Sequence, residues 1–229
     1  NANGSLDTTF NLSGKAITPI GGSFNAVRAL AVQPDGKLVV AGFCLNVGNA
    51  DFCLVRYNTN GSFDSAFGNS GKVLTAIGNG DDYAYALALQ PDGRLIAAGY
   101  CLNGSNYDFC LARYNADGSL DASFNTSGKV LTPIGSGDDR AFALALQPDG
   151  KLVAAGVRID GSNNAFGLVR YEGGPFGYRS CSLDIDGDNQ VLATTDMLIG
   201  ARVALGMTGS AVVNGINFTW DMPDDTYPD

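Results

Sequence analysis

Internal repetition constrains this chain more than any other feature. A 57-residue unit runs three times without insertion. Residues 4–60 open with GSLDTTFNLSGKAITPIG, residues 61–117 with GSFDSAFGNSGKVLTAIG and residues 118–174 with GSLDASFNTSGKVLTPIG. Later in each copy come LAVQPDGKLVVAGFC, LALQPDGRLIAAGYC and LALQPDGKLVAAGVR, and then a run ending in Arg-Tyr. The second copy shows what such a unit folds into. Four strand-like runs, 72–77, 83–90, 94–100 and 108–114, are separated by turn chemistry, with Pro91-Asp92-Gly93 a tight-turn signal. In the second run Tyr85, Leu87 and Leu89 alternate with Ala84, Ala86 and Ala88, so one face is bulky, the other small, and neither is charged. That pattern predicts an inner strand covered on both sides. Four antiparallel strands per unit, repeated radially, make a β-propeller blade. A β-solenoid is the alternative, though its coils are usually shorter. The period-two alternation leaves no helix of useful length in the repeats.

The motifs GSLD-x-x-F, LALQPDGK, AAGY and DFCLARYNADGSLD resemble the bacterial delta-60 repeat over residues 1–174. That resemblance implies β-propeller blades, an extracellular or surface setting, and no catalytic residues to carry over. By analogy with propellers, the LALQ run is the innermost strand, the KLVAAG run the second and the LARY run the third. The outermost strand is the GKVLT run of the following copy. The phase is therefore offset. Lys15, Ala16, Ile17, Thr18, Pro19 and Ile20 form an outer strand with no inner strands before it, and the third blade, ending near Tyr171, has no outer strand after it. Three blades do not close a ring of the usual 4–8. Either upstream repeats complete it, or neighbouring chains do, with the 15–20 strand added to the third blade of another subunit. Asn1-Ala2-Asn3 matches the tail of a preceding copy, which suits the end of a longer array or a processed mature form.

Cys44 and Cys53 recur as Cys101 and Cys110, and both positions change together in the third copy, to Arg158 and Gly167. Each pair brackets the hairpin between second and third strands, where chain ends lie within disulfide reach. A zinc site would need four ligands, and each hairpin offers two thiolates in a chain without histidine. A redox centre usually has a two-residue spacer. The expectation is two disulfides, Cys44–Cys53 and Cys101–Cys110, and hence secretion. Cys181 is left over. It pairs beyond residue 229, pairs between chains, or stays free.

With no histidine, Ser-His-Asp and Cys-His catalysis and His-ligated metals are excluded. Fourteen Lys and Arg against 23 acidic residues argue against a nucleic-acid partner. No apolar run is long enough to span a membrane as a helix. Arg56, Arg113 and Arg170, with Asp7, Asp64 and Asp121, recur in every copy, as a structural ion pair or turn cap would. Asn115-Ala116-Asp117-Gly118 is expected to be an Asx/Gly turn rather than a calcium loop. The adjacent acids Asp81-Asp82 and Asp138-Asp139 are expected to be solvated loop carboxylates.

The repeat stops at Tyr171, residues 175–180 form a linker, and residues 181–229 are a different module. Asp184, Asp186 and Asp188 occupy positions 1, 3 and 5 of an EF-type loop, with Gln190 at position 7 and Asn189 at the turn position. Hard oxygen donors at alternate positions suit one Ca²⁺, and residues 194–205 then read as a short helix capped by Thr194 or Thr195 and ended by Gly206. Loop and helix over 181–206 resemble half of a dockerin, the calcium-binding module that docks onto scaffold partners. Position 12 is Thr195, with the acid displaced to Asp196, and no clear second loop follows, so docking onto a cohesin-like partner is not expected.

The function that follows is a non-catalytic, secreted bacterial structural or interaction protein at the cell surface or outside the cell, stabilised by calcium and self-associating or completed by upstream repeats. The alternatives are a glycan-binding adhesin using loops such as 45–51 and 102–108, or a polysaccharide-acting enzyme with its site at the propeller axis. An enzyme should break its own symmetry, and the inner strand varies at Arg28, Tyr85 and Phe142.

Overall fold

A computed structural model of the chain describes residues 3–20, 25–161 and 163–173. The calcium-loop residues Asp184, Asp186, Asp188, Gln190 and Asp196, the helix expected over 194–205 and Cys181 lie outside them.

Three antiparallel sheets follow one another along the chain. The first holds β1 (Asn25–Val32), β2 (Leu38–Asn46), β3 (Asn49–Tyr57) and β4 (Lys72–Thr75), in that order. The second repeats it with β5 (Asp82–Leu89), β6 (Leu95–Asn103), β7 (Asn106–Tyr114) and β8 (Lys129–Thr132). The third has β9 (Asp139–Leu146), β10 (Leu152–Asp160) and β11 (Asn163–Tyr171) and is three-stranded. The offset of phase is therefore present: β4 and β8 come from the sequence copy after the one that supplies the rest of their sheet. Inner strands β1, β5 and β9 touch one another in turn, as strands nearest a propeller axis do. These are three sheets consistent with propeller blades.

Turn chemistry fixes the connections. In the first Gln-Pro-Asp-Gly turn, Gly36 N donates to Gln33 O at 2.8 Å and Lys37 N to the Asp35 carboxylate at 3.1 Å, and the same bonds recur at Gly93 and Gly150. The Asn-Ala-Asp-Gly turn is an Asx turn, with Ser119 N donating to Asp117 Oδ1 at 2.9 Å.

The core lies between sheets rather than within one. Val39, Ala41, Phe52, Leu54 and Phe67 meet Ala84, Leu95, Ala97, Cys101, Cys110, Ala112 and Tyr114 across the first seam. Ile96, Ala98, Phe109, Leu111 and Phe124 meet Ala141, Leu152 and Ala154 across the second. Each sheet thus presents a leading face to the sheet before it and a trailing face to the sheet after it. The second seam repeats most of the first, 57 positions on, with Arg158 and Gly167 standing where Cys101 and Cys110 do.

One expectation needs correction. The simple alternation along 83–90 groups Ala84 with Ala86 and Ala88. A bulge between Ala84 and Ala86 instead leaves Tyr85 unpaired and turns Ala84 onto the face of Leu87 and Leu89, while Ala86 packs on the other seam. One extra residue reverses every side chain beyond it. Residues 15–20 are not hydrogen-bonded into any sheet among the described residues. They lie beside β3, where Tyr57 Oη donates to Thr18 Oγ1 at 2.7 Å.

Candidate functional site

Repeated polar residues are consumed in holding the blades together. Arg56 Nε meets Asp64 Oδ2 at 2.7 Å, its ring-facing guanidinium sits 4.6 Å from the Phe67 centroid, and its Nη1 donates to Ala116 O at 2.6 Å. Arg113 does the same with Asp121 at 2.8 Å, with Phe124 at 4.7 Å and with Gly173 O. Lys37 and Arg94 add second cations to Asp64 and Asp121, each at 3.0 Å. Burial pushes the Asp64 carboxyl up, but hydrogen bonds from Lys37, Ala66 N and Arg56 outweigh it and hold the group below the usual range. Asp121 is lowered in the same way, by Ser123 and the two arginines against burial. The arginine therefore fastens its own strand to the following turn and to the copy beyond. Asp7 accepts from Thr9 N at 2.9 Å and Thr9 Oγ1 at 2.6 Å.

The adjacent acids are not solvated loop carboxylates. Asp82 and Asp139 are buried. Asp82 accepts from Ile77 N at 2.6 Å and Gly78 N at 3.1 Å, and Asp139 accepts from Ile134 N at 2.7 Å and Gly135 N at 2.8 Å. Each closes the loop leading into an inner strand, whose amides have no other partner among the described residues. Burial pushes Asp82 up to about 6, against the pull of those amides. The neighbour of each pair reaches across a seam: Asp81 accepts from Ala50 N at 2.8 Å and Asp138 from Tyr107 N at 3.0 Å. Their sequence gave no warning of burial, since the first copy has Phe24-Asn25 at that place.

Cys44 is joined to Cys53 and Cys101 to Cys110, with Cα–Cα distances of 5.5 and 5.8 Å. Both bonds run diagonally across a strand pair, since Gly42 faces Cys53 and Cys44 faces Asp51. Such bonds belong to an oxidising compartment. No helix among the described residues is long and apolar enough to cross a membrane. Among the described residues, no three His, Cys, Asp or Glu side chains gather as a metal site.

Two features stand apart from these contacts. The first is a row of bulge residues. Each inner strand carries one extra residue, Arg28, Tyr85 or Phe142, at the same register break. Opposite each break is a glycine, and a Cβ on Gly42, Gly99 or Gly156 would stand 1.9 Å from a carbonyl oxygen of the bulging strand. Only glycine admits that approach. The bulge residues touch in sequence: the Arg28 guanidinium lies 5.2 Å from the Tyr85 ring, and Tyr85 meets Phe142 edge-on at 5.3 Å. Tyr100 stacks on Tyr85 at 5.3 Å, and Arg140 lies 5.4 Å from Tyr100. Identical backbones thus present a cation, a phenol and a phenyl group. The glycine after the Ala-Ala or Val-Ala pair was the sequence signal for the bulge.

The second feature is the pair of end faces. Phe109 and Leu111 on β7 are 0% exposed, whereas their counterparts Phe166 and Leu168 on β11 are 96% and 69% exposed. A shallow apolar depression lies beside them, lined by Phe142, Ala155, Val157, Phe166 and Leu168. At the other end Val27, Leu30 and Val32 are exposed where Ala84, Leu87 and Leu89 pack into the first seam. Residues 16, 18 and 20 border a groove over that leading face with Val27, Val40 and Tyr57.

Comparison with known proteins fits this geometry. A family model described as a domain of unknown function (DUF5122), beta-propeller, matches residues 33–67, 90–124 and 147–173. Each match begins at the Gln of a Gln-Pro-Asp-Gly turn, and residues 33–173 carry repeats of this domain. No curated protein matches the chain.

Proposed function

We propose that these beta-propeller repeats form a non-catalytic, extracellular structural and interaction module whose working surfaces are the uncovered faces of its end sheets. The exposure of Phe166 and Leu168, set against the complete burial of Phe109 and Leu111, carries the proposal. Covering an aromatic and a leucine side chain is worth about 1.5–3 kcal/mol each, and uncovered β-sheet edges are normally protected. Another blade, from upstream repeats or from a neighbouring chain, supplies both the apolar cover and a fourth strand. Two disulfides support an extracellular or cell-surface setting. Hydrogen exchange on the native assembly tests the proposal: β11 amides should be protected to the level of β7. Free exchange along 163–171 would refute it.

The bulge row favours a second reading, an extracellular glycan-binding module. Tyr85 and a Phe142 that is 44% exposed offer flat apolar surfaces to a sugar ring, and Arg28 offers a cation to an acidic substituent. A glycan array probed with the parent and with Tyr85→Ala tests it; turnover of a bound polysaccharide would point to the enzyme instead. For the C-terminal segment we propose one Ca²⁺ held by Asp184, Asp186, Asp188, Gln190 and Asp196, in a dockerin-like loop. Calorimetry on the full chain should show one site, lost in Asp184→Asn with Asp186→Asn.

A further inference from the structure

The end faces can be assigned an occupant. Resting on the proposal that the end sheets dock another blade, we infer that the blade belongs to a second copy of this chain, and that two copies join head to tail into a closed pair. The chain holds both halves of the seam it uses internally. The trailing face of the third sheet repeats that of the second in kind, with Val153, Ala155, Phe166 and Leu168 for Ile96, Ala98, Phe109 and Leu111. The leading face of the first sheet repeats that of the second, with Val27, Leu38, Val40, Val55 and Tyr57 for Ala84, Leu95, Ala97, Ala112 and Tyr114. A contact between two different patches of one chain closes into a ring when its rotation permits.

The fourth strand for the third sheet is already in place on the incoming copy. Tyr114 Oη donates to Thr75 Oγ1 at 2.9 Å and Tyr171 Oη to Thr132 Oγ1 at 3.1 Å, each joining a third strand to the outer strand of the sheet before it. Tyr57 and Thr18 make the same bond at 2.7 Å. Lys129 Nζ donates to Ala76 O at 3.0 Å, and Lys72 Nζ donates to Pro19 O at 3.3 Å. Residues 15–20 therefore stand where β4 and β8 stand, against the next sheet, while lacking the sheet they should complete. Among the described residues the third sheet lacks such a strand. The sequence does not continue the pattern, since residues 186–189 read Asp-Gly-Asp-Asn where Lys129–Thr132 read Lys-Val-Leu-Thr.

The internal register then specifies the joint. Phe52 faces Thr75 and Leu54 faces Val73; Phe109 faces Thr132 and Leu111 faces Val130. Carried forward 57 positions, Phe166 faces Thr18 of the second copy, Gly167 faces Ile17, Leu168 faces Ala16 and Val169 faces Lys15. The bulge row continues across the same joint, with Phe142 meeting Arg28 of the second copy at the place where Tyr85 meets Phe142 within one chain.

Crosslinking of the full chain in a Cys181→Ser background tests the register. Ala16→Cys with Leu168→Cys should give, on mild oxidation at micromolar concentration, one covalent species of about twice the 23.7 kDa chain mass. Ile17→Cys with Leu168→Cys turns one thiol to the opposite face, and should crosslink at least tenfold less. Sedimentation of the unsubstituted chain should show a dimer, with Phe166→Glu plus Leu168→Glu weakening it at least 100-fold. A monomer in sedimentation, a ladder of larger crosslinked species, or equal crosslinking by the two cysteine pairs would overturn the closed pair. A monomer whose β11 amides are nonetheless protected in the native assembly would overturn it too, while leaving the docking proposal standing and giving the face to other blades.

Discussion

β7 and β11 are one strand written twice, Asp108–Tyr114 as DFCLARY and residues 165–171 as AFGLVRY, yet the first is buried throughout its centre and the second is largely exposed. The difference is the neighbour. β7 has β8 at its edge and the third sheet over its trailing face; β11 has neither among the described residues. A blade's hydrophobicity is thus a statement about the blade that follows it, and the same side chain is core or surface according to whether that blade is present.

The largest expected contrast lies in those side chains. Phe109→Ala should destabilise the chain by about 3–5 kcal/mol, as loss of a buried aromatic does. Phe166→Ala should change the dissociated chain by less than about 0.5 kcal/mol. Urea unfolding of both at low protein concentration measures the gap, and equal losses would break the comparison. Next comes the arginine girdle. Arg113 is buried with Asp121, whereas Arg170 is exposed. Arg113→Ala should cost about 2–3 kcal/mol by removing a buried side chain that meets Asp121, Phe124 and Gly173 O, although Asp121 keeps Arg94, and Arg170→Ala should again fall within about 0.5 kcal/mol.

A smaller contrast concerns the hairpins. Cys101→Ser with Cys110→Ser should cost about 2–3 kcal/mol. Installing the staple in the third sheet, by Arg158→Cys with Gly167→Cys, should return less. A Cβ at 167 would stand 3.1 Å from Ile134 Cδ1, so the seam must shift to admit it. Thermal unfolding of both variants with and without reductant decides. The smallest effect is in pH. Asp82 is raised to about 6 in the folded chain, against about 4 when unfolded. The folded state therefore binds that proton more tightly, and the contribution is full below about pH 4 and lost as pH rises to 6. Asp64 and Asp121, held low, act in the opposite sense: their contribution is present above about pH 4 and lost as pH falls. Asp82→Asn should flatten the decline of Tm between pH 4 and 6 by a few degrees and leave the acid limb unchanged.

Much of the architecture was legible because the repeat supplied its own controls. Loss of Cys44 and Cys53 equivalents together, at Arg158 and Gly167, identified a bonded pair; the GKVLT run lying after the Arg-Tyr dipeptide identified an offset of phase. What stayed hidden depended on neighbours not visible in a linear pattern. Asp82 reads as a loop acid until the amides of Ile77 and Gly78 close on it. Arg113 reads as half of an ion pair, and its reach to Gly173 O requires the next copy to be folded back beside it. The bulge defeated the alternation of Tyr85, Leu87 and Leu89 because period-two patterns assume one residue per step. Of the surfaces proposed to act, the 15–20 strand was recognisable by its match to Lys72–Thr75, while the exposure of Phe166 was not, since its sequence is that of a core residue.

Gly42, Gly99 and Gly156 have a consequence beyond accommodating the kink. Because the backbone across the strand absorbs the steric demand, the residue at the break has no partner across the strand and is held by side-chain contacts along the row, and one scaffold has accepted Arg28, Tyr85 and Phe142 there in turn. Substitutions at these three places should therefore change the lining of the innermost strands with little disturbance to the frame of sheets, which makes them a natural locus for engineered recognition.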